Sequence, residues 1–126
     1  MTRWVFSLLA SCALAGWAEA APTIRLVEFD APLTPLSVLH ITRAIDDAES
    51  AGDALVLIEL DTPGGLVEST EAAVKRMPAA RVPVVVWVGP AGAKAASGGF
   101  FLLIAADVAA MAPGTRAGAA KTVYEA

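Results

Sequence analysis

Ser97 is flanked by small residues on both sides, Ala95 and Ala96 before it and Gly98 and Gly99 after it. A hydroxyl so little crowded can reach an electrophilic carbonyl, and Ser97-Gly98-Gly99 opens an apolar stretch that reads as a buried helix over 97–106. A second glycine-bearing bend, Asp61-Thr62-Pro63-Gly64-Gly65, lies between an apolar run at 54–60 and a helical pattern at 66–77. Glycine pairs let the backbone approach a substrate closely, and a helix N-terminus carries partial positive charge that favours an anion. The chemistry these bends would support is acyl transfer, with Ser97 as nucleophile. A backbone N–H of Gly64 or Gly65 and another of Gly98 would cradle the oxyanion, a donor worth about 3–4 kcal/mol in the transition state. An ordinary explanation stands beside this one. Serine is a common helix cap and glycine pairs are common turn residues, so the residues alone leave both readings open.

The elements needed to hold the two bends follow from periodicity. Residues 23–29 (TIRLVEF) suit a strand, and Thr34-Pro35 reads as an N-cap followed by proline at the first helical position. Leu36, Leu39, Ile45 and Ala48 recur at helical spacing, and Gly52 suits the left-handed cap that ends the helix. The run at 54–60 (ALVLIEL) is nearly continuous in apolar residues, as for a strand covered on both faces. Pro78 stops the second helix, 82–88 (VPVVVWV) forms a third strand, and 107–111 (DVAAM) a short fourth. From Arg116 onward the chain reads as loop, which suggests a domain cut short. Strand and helix alternate, so the expected fold is α/β with largely parallel pairing, and both bends fall at carboxyl ends of strands, where such sheets bind ligands.

Composition bounds the partners. With 126 residues, 56 % hydrophobic and 17 % charged, the chain can bury a core of one modest domain. A net charge of −4 and the lack of a Lys/Arg cluster argue against nucleic acid. One Cys and one His provide neither an internal disulfide nor a metal-ligand spacing, so no metal or cofactor is expected. Residues 1–20 have the form of a secretory signal: a basic start at Arg3, an apolar run over 4–16, and small residues at Ala18 and Ala20. Cleavage after Ala20 would leave 21–126 as an exported, extracytoplasmic domain. The run around Cys12 also resembles a lipoprotein box, though it sits early and the apolar stretch continues past it.

Three blocks taken together resemble one family. ELDTPGG at 59–65, GAKAASGG at 92–99 and AAMAPGT at 109–115 stand in the order and spacing of NfeD-type membrane-bound serine proteases. The resemblance covers about 23–120 and implies a ClpP/crotonase-like spiral of ββα units, incomplete at the C-terminus here. It implies Ser97 as nucleophile and the Gly64/Gly65 bend with Gly98 as the oxyanion positions. The family's base is a lysine on a helix beyond the AAMAPGT block, where desolvation would keep the amine neutral. That places the base beyond Ala126 and leaves this chain inactive alone. Lys94 matches a position where the family often has a basic residue without a catalytic role, and Lys121 comes too early for the family lysine. His40 precedes the bends by a helix and reads as a surface or half-buried histidine, while Asp61 and Asp107 read as turn caps. The resemblance further implies cleavage of hydrophobic segments, a stomatin-like membrane protein as substrate and partner, membrane attachment through missing C-terminal segments, and homo-oligomers. Other functions remain in play: a peptide-binding scaffold, an inactive fragment, or an acyl-CoA enzyme of the same fold. The last sits poorly with an export signal, because CoA is a cytoplasmic cofactor.

Overall fold

The computed structural model describes residues 19–121. The expected export signal, apart from Glu19 and Ala20, lies outside the described residues, as does Cys12. Nine elements follow in chain order: β1 (Ile24–Asp30), α1 (Pro35–Ala51), β2 (Leu55–Asp61), α2 (Val67–Arg76), β3 (Val84–Val88), β4 (Lys94–Ala96), α3 (Gly98–Ala105), β5 (Val108–Met111) and β6 (Arg116–Gly118). The main sheet has the order β1-β2-β3-β5, with every pair parallel. The succession β3-β4-α3 is a ββα unit of the expected kind, and β5-β6 repeats its strand pair. No helix among the described residues is long and apolar enough to cross a membrane.

Local signals set α1. The Thr34 hydroxyl accepts the Ser37 N–H at 3.1 Å, and the Ser37 hydroxyl accepts the Thr34 N–H at 2.9 Å, closing a reciprocal cap. Pro35 occupies the first turn and Gly52 the left-handed C-cap at φ 70°. The buried stripe is Val38, Ile41, Ile45 and Ala48, at a strict helical repeat. Leu36 and Leu39, expected on that stripe, are instead exposed at 79 % and 41 %. They lie on the opposite side of the helix from that stripe and line a groove with Arg25 and Leu26 of β1.

Register stacks the core into one layer. Val56 pairs with Val84, Ile58 with Val86 and Leu60 with Val88, and all six side chains are fully buried. Val27 and Phe29 of β1 extend the same face. The opposite face is only half-covered, with Leu55, Leu57, Val85 and Trp87 half-buried and Leu26 exposed. The expectation that β2 is covered on both faces therefore holds for one face alone, so apolar continuity in the sequence did not translate into two-sided burial.

The expectation of loop from Arg116 onward is overturned. Residues Arg116–Gly118 form β6, which pairs in parallel with β4 in a separate two-stranded sheet. Three residues of strand carry no readable period, and the pairing spans more than twenty residues of sequence, so nothing local announces it.

Candidate active site

The two glycine bends meet. A methyl group placed on Gly64 would stand 2.7 Å from the Ser97 Cβ, 3.0 Å from the Ala96 carbonyl oxygen and 3.1 Å from the Gly98 nitrogen. Any side chain at position 64 would displace the serine, and the φ of 96° there also requires glycine. Gly65 is pressed just as closely against the Leu33 backbone, whose N–H donates to the Gly64 carbonyl at 2.9 Å and whose carbonyl accepts the Leu66 N–H at 2.9 Å. That parallel bridge occupies the groups flanking Gly65 and leaves its own N–H pointing elsewhere.

Ser97 stands at the junction of β4 and α3 with φ 52° and ψ −119°. A non-glycine residue in that region stores about 1–3 kcal/mol of strain and persists only where its surroundings over-determine it. They do so here. The Ser97 N–H donates to the Gly118 carbonyl at 2.9 Å, and its carbonyl accepts the Phe100 N–H at 3.0 Å. One residue upstream, the Ala96 N–H donates to the Thr62 carbonyl at 3.1 Å. The side chain is exposed and makes no capping bond to α3, so the ordinary N-cap explanation does not account for it. Ser97 is thus an exposed residue with strained backbone on a strand-to-helix turn, a setting in which a nucleophilic serine can be presented.

Donor groups for an anion can be sorted by what they already bond. Among the described residues, the N–H groups of Gly65 and Gly98 donate to no protein acceptor. The Gly64 N–H departs from the sequence expectation: it donates to the Thr62 hydroxyl at 3.2 Å. Gly64 thus contributes close approach, while Gly65 and Gly98 contribute free donors. Gly98 is itself sealed from behind, because a side chain there would overlap the Thr70 hydroxyl and the Leu33 side chain.

The remaining candidates sit as turn formers or on the surface. The Asp61 carboxylate accepts the Lys94 N–H at 3.0 Å and the Asp107 carboxylate accepts the Val84 N–H at 2.7 Å. Lys94, Lys121 and His40 are exposed. Among the described residues no group of three or more His, Cys, Asp or Glu side chains could hold a metal. Two residues at the site escaped the sequence reading. Gly118 is unremarkable until β6 is known, and Thr62, fully buried, carried a signal only in being a threonine inside a turn.

With the geometry described, comparison with known proteins becomes specific. Residues 34–126 match the family described as NfeD1b, N-terminal domain. The chain is 32 % identical over 123 residues to Membrane-bound protease PH1510 of Pyrococcus horikoshii, covering 98 % of this chain and 28 % of the relative. Among solved structures, a lysine-to-alanine mutant of the 1510-N membrane-bound stomatin-specific protease, in complex with a substrate peptide, superposes with a TM-score of 0.79 at 32 % identity. That match covers 83 % of this chain and 48 % of the other. A ClpP1 mutant from Listeria monocytogenes gives a TM-score of 0.67 at 21 % identity over 74 % of this chain and 54 % of the other, which speaks to fold alone. The chain therefore spans between about a quarter and a half of these relatives. Parallel α/β architecture with a ββα unit, the family match over most of the length and the protease relative agree: this chain belongs to the NfeD N-terminal domain family and has the ClpP-like fold.

Proposed function

We propose that the chain is the nucleophile-bearing part of a membrane-associated serine endopeptidase. One observation carries the reading: an exposed Ser97, held at φ 52°, sits against the Gly64 bend with the Gly65 and Gly98 N–H groups unspent. Ser97 Oγ attacks the carbonyl carbon of a peptide bond, and its proton passes to a neutral lysine amine. The Gly65 and Gly98 N–H groups take the charge that gathers on the carbonyl oxygen. Collapse of that intermediate breaks the C–N bond, the departing amine takes the proton, and an acyl-serine ester remains. Water then cleaves the ester by the reverse proton route, releasing the acid and restoring the hydroxyl.

The base we assign is a lysine from sequence following Ala126, the residue type replaced in the solved relative that holds a substrate peptide. The substrate we assign is a hydrophobic segment of a stomatin-like membrane protein, on the strength of that relative's specificity. Export through the signal at 1–20, an extracytoplasmic location and self-association complete the proposal.

A fluorophosphonate that forms an ester with activated serine tests it on the protein extended to its natural length. Wild type is expected to label at one site and Ser97→Ala not at all. Equal labelling of the two would end the reading.

A further inference from the structure

We infer that Thr62 is the positioning residue of this site, its buried hydroxyl setting the Gly64–Gly65 bend that packs against Ser97 and leaves the Gly65 N–H free. The inference rests on the protease reading for its meaning, though its geometry stands independently. Thr62 is fully buried, and its hydroxyl is used in both senses. It donates to the Ala31 carbonyl at 2.7 Å and accepts the Gly64 N–H at 3.2 Å. Ala31 belongs to the segment joining β1 to α1, and Leu33, two residues on, grips the bend from its other side. The bend is therefore clamped between one loop and one side chain.

The backbone of Thr62 reaches the other half of the site. Its N–H donates to the Lys94 carbonyl at 2.7 Å and its carbonyl accepts the Ala96 N–H at 3.1 Å, a parallel bridge to Ala95. The residue after Ala96 is Ser97. The Thr62 γ-methyl fills the space over Gly99, where a side chain would overlap it. One residue thus binds the nucleophile's strand through its main chain and the anion bend through its hydroxyl.

Removing the hydroxyl would strand the Ala31 carbonyl and the Gly64 N–H in the interior, which is costly. Finding a new partner for the Gly64 N–H requires the Pro63–Gly64 peptide to turn, which the wide backbone range of glycine permits, at the expense of the Leu33 N–H bond to the Gly64 carbonyl next to it. Such a rotation turns the Gly65 donor away from the nucleophile. A backbone shift of this size is the kind that costs catalysis far more than folding.

The test uses the protein extended to its natural length, carrying Thr62→Val or Thr62→Ser. Valine keeps the shape over Gly99 and loses the hydroxyl; serine keeps the hydroxyl and loses the methyl. Thr62→Val is expected to slow fluorophosphonate labelling about 10- to 100-fold, with Thr62→Ser within about threefold of wild type. Melting temperature should fall in both variants, in valine because two polar groups lose their partner and in serine because a buried methyl is gone, so it does not separate the two roles by itself. A role confined to packing would make Thr62→Ser, which opens a void over Gly99, label more slowly than the isosteric Thr62→Val, and that result overturns the assignment. So does a folded Thr62→Val that labels within about threefold of wild type. Hydrogen exchange at the Gly64 amide gives a readout that needs no activity: faster in Thr62→Val and unchanged in Thr62→Ser. If wild type does not label, the protease reading fails and exchange alone decides, with unchanged Gly64 exchange in Thr62→Val refuting the clamp. If Thr62→Val does not fold, Thr62→Ser decides. Loss of labelling or of Gly64 protection with the hydroxyl retained refutes the assignment, and retention of both supports it.

Discussion

Val56, Ile58 and Leu60 of β2 sit fully buried on one face, their side chains satisfied by any apolar neighbour of suitable size. Two residues beyond Leu60, Thr62 is equally buried but bound through four directional hydrogen bonds, to Ala31, Gly64, Lys94 and Ala96. The first region is held by area, which is non-directional and tolerates small shifts. The second is held by bond geometry and by the space that Gly64, Gly65, Gly98 and Gly99 leave empty. A perturbation of equal free energy should therefore read out differently, as lost stability in the sheet and as lost chemistry at the bends.

Gly65→Ala should have the largest effect, because its methyl would overlap the backbone nitrogen, carbon and oxygen of Leu33, which cannot rotate aside. Labelling of Ser97 should fall by roughly 100-fold or more, with a stability loss of about 3 kcal/mol. An unchanged labelling rate would dissolve the distinction between the two regions. Ile58→Ala sharpens it from the other side. Deleting most of that buried side chain should cost about 2–5 kcal/mol in urea unfolding, while the folded fraction labels at the wild-type rate. Slower labelling under fully native conditions would mean that the sheet and the bends are not separable.

The smallest effect belongs to the ion cluster at the far ends of α1 and α2. Glu49 accepts the Arg81 N–H at 2.8 Å and lies 3.1 Å from the Arg76 guanidinium, which also holds Asp46 at 2.7 Å. The Arg81 N–H, above all, holds the Glu49 carboxyl below its ordinary value; partial burial opposes this, and the Arg76 and Arg81 guanidiniums add to it. A carboxyl depressed on folding stabilises the native state above its unfolded value and loses that contribution as pH falls through its folded value. Melting temperature should thus decline a little on acidification through the lower carboxylate range, and Glu49→Gln should flatten that decline. Thermal melts across that range check it, with no change in the labelling of Ser97 at neutral pH. A full-sized acid limb in Glu49→Gln would assign the decline to other carboxyls.

Legibility in the sequence followed the range of the interactions. The cap of Thr34 on Ser37, Pro35 in the first turn and Gly52 at the C-cap are bonds within five residues, so α1 could be bounded almost to the residue. Leu36 and Leu39 lie opposite the buried stripe, because α1 carries apolar residues on both sides and their spacing does not say which side the sheet will cover. The pair β4–β6 left no trace at all: each strand has three residues, and the partners that hold them, each other and Thr62 for β4, are distant in sequence. The residues left Gly64 and Gly65 as alternative donors, and nothing local distinguishes them: the Gly64 N–H bonds a hydroxyl two residues away whose rotamer depends on Ala31.

Amino-acid order by itself determined the alternation of strands and helices, the two glycine bends and the serine between small neighbours, since these depend on local propensity and on steric freedom at single residues. Tertiary structure alone decided that the bends touch, that Ser97 is forced to φ 52°, and which amides remain free. Those are outcomes of hydrogen bonds between residues more than twenty apart in sequence, from Ala31 to Thr62, Thr62 to Ala96 and Ser97 to Gly118. Such a bond exists only after the core has brought its ends together, so no window of sequence contains it.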